Sequence, residues 1–212
     1  MLLPELREKV RASAHKMLLT RLVAGTSGNV SARDPESGLI AVTPSQRDYD
    51  TLTAEDIVVV NVARDVIEGK WRPTSETRMH TYIYNVRPDV GGIVHTHSIC
   101  ATALSLICTE VPVVFPEMIW TIGGSLRVAP YVQPGTEELA AVALETMGDR
   151  RAVLLSNHGT LCIGATVEEA LKIAISLEES AETYLAALRV GTPKLLPPEE
   201  VRRMRALAGY KD

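Results

Sequence analysis

Apolar residues recur at helical spacing over residues 4–23, where Leu6, Val10, Ala14, Met17, Leu18 and Leu22 share one face, so the chain is expected to open on an amphipathic helix. GTSGNVSAR (25–33) breaks that pattern and leads into a short alternating stretch. LIAVT (39–43) and IVVVN (57–61) are short apolar runs of strand type on either side of the polar turn PSQRDYD, and a reversal is expected around Asp65 and Gly69. A helix over 75–86 (SETRMHTYIYNV) is stopped by Pro88, and GGIVHTH (91–97) follows as a strand. Helical character returns over 98–107, VPVVFP (111–116) is extended, and LRVAPYV is a further strand. TEELAAVALETM (136–147) is a helix ended by Gly148, and AVLLSNHGTLCIG (152–164) is two strands about a turn. The longest helix runs from about 166 to 190, with Val167, Ala170, Leu171, Ala174, Leu177, Ala181, Tyr184, Leu185 and Leu188 on one face. A short helix over 199–207 follows the loop GTPKLLPP. Without an internal repeat, linker or low-complexity block, the pattern predicts one α/β domain over residues 1–212 with mixed strands.

Composition narrows the function classes. At 212 residues the chain is long enough to bury a full core, and 46% apolar with 23% charged residues suits a soluble globular protein. A net charge of −4 gives no basic footprint, which argues against a nucleic-acid partner. No apolar run approaches the ~18–20 residues needed to cross a bilayer, so no membrane partner is expected. MLLPELREKVRASAHK lacks the apolar core of a signal peptide, because Glu5, Arg7, Glu8 and Lys9 interrupt it. Cys100, Cys108 and Cys162 are odd in number, widely spaced and set in apolar sequence. They read as buried free thiols of a reducing, cytoplasmic compartment rather than a zinc-binding cluster.

The candidate chemistry lies in the histidines. On a strand, residues i and i+2 point to one face, so His95 and His97 present two imidazoles side by side, as two ligands of one metal ion would. His158, in SNHG, ends a second strand candidate, and Gly159 beside it permits a tight backbone. Three neutral imidazoles with an open position describe a catalytic zinc site. Taken alone, the same residues also fit three unrelated histidines of core and surface. Glu76 likewise reads, by itself, as an acid in a first helical turn complementing the dipole.

GTSGNVSAR, VTPSQ, TSETRMH, VRPDVGGIVHTHS and SNHG, in this order and spacing, resemble the class II aldolase/adducin family over about residues 25–190. The resemblance implies a central, mostly antiparallel sheet flanked by helices. It implies zinc, one ion per subunit, on His95, His97 and His158, with Glu76 as a fourth ligand at rest and the acid/base in turnover. Other divalent metals suit such ligands to varying degrees. The implied reaction is the reversible cleavage of a ketose 1-phosphate, similar to L-fuculose 1-phosphate, into dihydroxyacetone phosphate and an aldehyde through a metal-stabilised enediolate. Epimerases of ribulose phosphate in the family resemble this pattern with aspartate at position 76, so Glu76 favours carbon–carbon cleavage. A methylthioribulose-1-phosphate dehydratase is a rival at the same metal site, and an adducin-like interaction domain is the non-enzymatic alternative.

Phosphate recognition is implied at Gly28, Asn29, Ser45, Gln46, Thr74 and Ser75, where backbone N–H groups, hydroxyls and a helix start offer anion-binding groups. Many relatives carry glycine in place of Gln46 and serine in place of Thr74. The resemblance also implies a homotetramer whose sites are completed by a neighbouring subunit. There Glu117 stands where fuculose-phosphate aldolases resemble one another in using a proton-donating tyrosine, and Tyr210 lies near a second tyrosine of relatives.

Overall fold

A computed structural model describes residues 1–211. Nine strands form one sheet: β1 (Asn29–Arg33), β2 (Ile40–Val42), β3 (Val58–Val60), β4 (Val66–Glu68), β5 (Gly92–Thr96), β6 (Glu110–Val111), β7 (Leu126–Ala129), β8 (Ala152–Leu155) and β9 (Gly159–Gly164). Their order is β4-β3-β2-β1-β5-β9-β8-β7-β6. Every neighbouring pair is antiparallel except β7 with β8.

Side-chain alternation on the central strands divides the interior into two cores. Val94, Cys162 and Leu154 face one side, with α1 (Pro4–Leu19), α3 (Ile99–Ser105), α4 (Glu117–Thr121) and α6 (Val167–Val190). Ile93, Leu161, Ile163 and Val153 face the other, with α2 (Thr77–Val86) and α5 (Glu137–Met147). A last helix, α7 (Pro198–Leu207), packs its Val201 and Met204 on the first core. Among the described residues no helix is long and apolar enough to cross a membrane.

Among the expected elements that are shorter in the structure, two differ most. The first helix ends at Leu19, because Arg21 takes a left-handed backbone (φ 58°) that a helix cannot continue through. Leu22 and Val23 are nonetheless buried, so their apolar spacing records packing of the following loop and not of the helix. The extended reading of VPVVFP holds as a strand only to Val111. With prolines at 112 and 116 the segment cannot supply a regular ladder of N–H donors.

Candidate metal centre

The parity of β5 puts His95 on the same face as Ile93, the face packed by α2. Glu76 is the N-cap residue of α2, and its side chain makes no cap hydrogen bond. It is turned instead towards the end of β5. On the neighbouring strand Asn29 is in register with His95, so the antiparallel pairing of β1 and β5 brings this amide to the same point. His158 enters from the turn between β8 and β9, one residue before Gly159. A Cβ on Gly159 would lie 2.1 Å from the Thr96 carbonyl oxygen, so only glycine lets β9 run this close to the His95–His97 segment. Gly28 does the same for β1: it has φ +71°, and a Cβ there would meet the His95 carbonyl oxygen at 2.7 Å.

The three rings converge. Their centroids are 4.9 Å (His95–His97), 4.7 Å (His95–His158) and 5.1 Å (His97–His158) apart. One nitrogen from each lies within 4.8 Å of the others. Nε2 of His95 is 3.0 Å from Nε2 of His97 and 2.9 Å from Oε2 of Glu76, and Nε2 of His158 is 3.5 Å from Oε1 of Glu76. Glu76 Oε1 is buried without a hydrogen-bond partner.

The donor set fits a divalent cation. Nδ1 of His95 lies 2.8 Å from the Thr160 carbonyl oxygen, which can only accept, so the ring proton sits on Nδ1 and the Nε2 lone pair faces inward. That lone pair then faces the Glu76 carboxylate oxygen at 2.9 Å, a repulsive contact unless a positive charge lies between them, with Nε2 of His97 3.0 Å away on the same side. The titration behaviour records the same demand. Burial opposes charging His95, yet the Glu76 carboxylate raises its pKa above the ordinary value. His97 and His158 are pushed down to about 4, by burial first and then by His95. Burial would raise Glu76, but His95, Asn29 and His158 together hold it well below the usual carboxylate range. A proton on His95 answers the charge, and the four groups together are a donor set that suits a divalent cation.

Beside these groups opens a cavity of about 590 Å³, lined by Gly28, Asn29, Ser45, Gln46, Thr74 and Ser75 with Glu76, His97 and His158. Its three loops are tied through their backbones. Thr74 N–H donates to the Thr43 carbonyl (3.0 Å), Ser45 N–H to the Arg72 carbonyl (2.9 Å), and Val30 N–H to the Thr43 hydroxyl (3.1 Å). The Tyr49 hydroxyl donates to the Gly28 carbonyl at 2.6 Å. No lysine or arginine lines the cavity among the described residues, so its anion-binding capacity lies in neutral N–H and O–H donors and the start of α2. Gln46 has φ 57°, a left-handed backbone that favours glycine.

The structure thus brings ten of the singled-out residues to one place. It does not bring Glu117 or Tyr210 there. Glu117 is exposed at the start of α4, and Tyr210 packs against Gly123 with its ring under Arg205 and lines a cavity with Arg87, Asp89 and Arg151. Those residues adjoin the start of β5 and of β8, at the opposite end of the central strands from the histidines. Five further residues line it: Thr26, Ser27 and Pro44, which lie inside the motifs GTSGNVSAR and VTPSQ, and Pro134 and Gly135, which carried no sequence signal. His80, also missed, is described below; its position one helical turn after Glu76 was the available clue.

Residues 8–185 match the model of the family described as Class II Aldolase and Adducin N-terminal domain. The chain is 39% identical over 211 residues to a 5-deoxy-D-ribulose 1-phosphate aldolase of Bacillus thuringiensis serovar kurstaki, covering 99% of each chain. It is 37% identical over 204 residues to a 5-methylthioribulose-1-phosphate/5-deoxyribulose-1-phosphate aldolase of Rhodospirillum rubrum, covering 94% of this chain and 89% of that one. A solved structure of an L-fuculose 1-phosphate aldolase superposes with a TM-score of 0.89 at 36% identity, covering 97% of both chains.

Proposed function

This chain belongs to the class II aldolase and adducin family, and we propose that it is the metal-dependent lyase that cleaves a ketose 1-phosphate with an apolar terminal carbon. The substrates named for the relatives, 5-deoxyribulose, 5-methylthioribulose and fuculose phosphates, share a terminal carbon without a hydroxyl. The relative matched over 99% of both chains favours a 5-deoxypentulose 1-phosphate, whose cleavage between C3 and C4 gives dihydroxyacetone phosphate and a two-carbon aldehyde.

His95, His97 and His158, with Glu76 at rest, would hold the cation, for which zinc suits the imidazole-rich set. When bound, a divalent cation polarises the substrate carbonyl and offsets the negative charge that develops on the three-carbon fragment. Gly28, Asn29, Ser45, Gln46, Thr74 and Ser75 hold the phosphate through neutral donors. As C3–C4 breaks, the O4 hydroxyl loses its proton, the electron pair stays on C3, and Glu76 delivers a proton there; in the reverse direction it removes that proton. Net, one proton moves from O4 to C3. Because Oε1 of Glu76 is buried and makes no hydrogen bond, no protein donor competes for the oxygen that would carry the proton. Glu117 and Tyr210 do not reach their own chain's cavity, so a role as proton carriers at O4 belongs to a neighbouring copy in a tetramer.

The observation that carries this reading is the meeting of three imidazoles and the Glu76 carboxylate beside a cavity lined by loops rich in glycine, serine and threonine. Incubation with 5-deoxyribulose 1-phosphate, L-fuculose 1-phosphate and ribulose 5-phosphate, followed by NMR, tests it. Appearance of dihydroxyacetone phosphate and an aldehyde is expected. Formation of only an epimer or a dehydrated diketone would replace the aldolase reading.

A further inference from the structure

His80, on α2, is fully buried, is absent from the cavity lining, and has both ring nitrogens engaged. Nε2 is 2.5 Å from Oδ1 of Asn29, and Nδ1 is 2.6 Å from Oγ of Ser31. Ser31 Oγ lies 2.8 Å from the Tyr84 hydroxyl, and Nδ2 of Asn29 donates to Oε2 of Glu76 at 2.9 Å. The far end is clamped by Arg33, whose Nη1 donates to the Tyr84 carbonyl at 2.7 Å and whose guanidinium lies 5.1 Å from the Tyr84 ring centroid.

Donor and acceptor rules leave this chain one direction. The Glu76 carboxylate can only accept, so Asn29 must turn its NH2 towards it and its carbonyl oxygen towards His80. His80 must then carry its proton on Nε2, which leaves Nδ1 to accept from the Ser31 hydroxyl. Ser31 in turn accepts from Tyr84. With one proton on the His80 ring, reversing any link would turn Asn29 over and set its oxygen against a carboxylate oxygen at 2.9 Å, lone pair on lone pair.

We propose that His80 is a positioning residue for the Glu76 carboxylate: through Asn29 it anchors Oε2, which leaves Oε1 as the oxygen free to exchange a proton. The inference rests on the proposed lyase reading for its kinetic consequence and not for its effect on the cation site. His80 touches neither the cavity nor a histidine of the centre, and it acts only through the orientation of Asn29.

The test compares H80L, H80Q and S31A with the wild type. Zn2+ affinity is read by competition with a chelator, and kcat and KM are read with 5-deoxyribulose 1-phosphate. H80L is expected to lose about ten- to a hundred-fold in Zn2+ affinity, the range for residues that orient metal ligands. Its kcat is expected to fall while KM changes little. Glutamine can again donate to Asn29, so H80Q should recover most of both quantities, which a purely space-filling role would not produce. S31A removes the donor that sets the ring tautomer and should show a smaller loss in the same direction. A folded H80L with wild-type affinity and kcat, or an H80Q as impaired as H80L, overturns the proposal. If H80L does not fold, S31A decides, and unchanged affinity and kcat in S31A overturn it. If the wild type cleaves none of the ketose phosphates, the lyase reading fails while the Zn2+ arm still decides the role of His80.

Discussion

The two oxygens of Glu76 have different surroundings. Oε2 is held by Asn29 and faces His95, while Oε1 has no hydrogen bond, so the proposed acid–base role falls to Oε1. Replacing it with glutamine preserves the shape and removes the base. Hydrogen exchange into C3 of dihydroxyacetone phosphate, followed by NMR in deuterated water, should fall by ~10²–10⁴-fold in E76Q with an unchanged circular dichroism spectrum. Exchange at the wild-type rate would remove Glu76 from the chemistry. Gln46 shows a different compromise, because its left-handed backbone is strained for any residue with a side chain. Relief of about 1–2 kcal/mol in Q46G offsets the ~0.5–1 kcal/mol entropic cost of a new glycine. The variant should therefore melt no lower than the wild type while its KM for the sugar phosphate rises. An unchanged KM would show that the glutamine amide takes no part in phosphate binding.

At the scale of elements, the site depends on how closely β5 can approach its neighbours. G159A places a Cβ against the Thr96 backbone, where no side chain can give way, so strand β9 must shift and take His158 with it. Destabilisation of about 1–3 kcal/mol in urea unfolding is expected, together with lowered metal occupancy by elemental analysis. Full occupancy in a folded G159A would show that the close approach is not required. Strand spacing made the His95–His97 pair legible in the sequence, although β5 ends at Thr96 and His97 lies one residue beyond it. The helix over 166–190 was legible for the same kind of reason, as an unbroken apolar stripe. The convergence with Glu76, Asn29 and His158 was not, because it needs the register of β1 on β5 and the start of α2, 47 positions from Asn29, to meet, which no local pattern encodes. The family resemblance supplied that link for Glu76 and His158. Nothing supplied it for His80, whose role depends on side-chain partners. Leu22 misled in the opposite sense, by carrying helical spacing into a loop.

Across the whole molecule, the fully buried His80 and the part-buried His97 and His158 weaken the metal-free protein towards acid. His97 and His158 are pushed down to about 4 and His80 to about 3, in each case by burial first. Below their ordinary value of 6.5 the unfolded chain binds protons that the folded chain refuses, so stability falls as pH drops from about 6.5 towards 4. His95 has the opposite sign: its raised pKa contributes stability that is present below 6.5 and lost as pH rises through its folded value. Glu76, with a depressed pKa, contributes stability above its ordinary 4.5 that is lost as pH falls through its folded value. Three histidines outweigh one, so melting temperatures of metal-free protein should decline steadily from pH 7 to pH 4.5. A flat profile would mean that these rings are not buried as neutral groups.

The most direct measurement is the cleavage of 5-deoxyribulose 1-phosphate by protein stripped of metal with a chelator and then reloaded. Loss of cleavage on stripping is expected, with recovery as Zn2+ or another divalent ion approaches one per chain, and no recovery in H97A. Undiminished cleavage by the stripped wild type would show that the four converging groups are not a metal-dependent active centre.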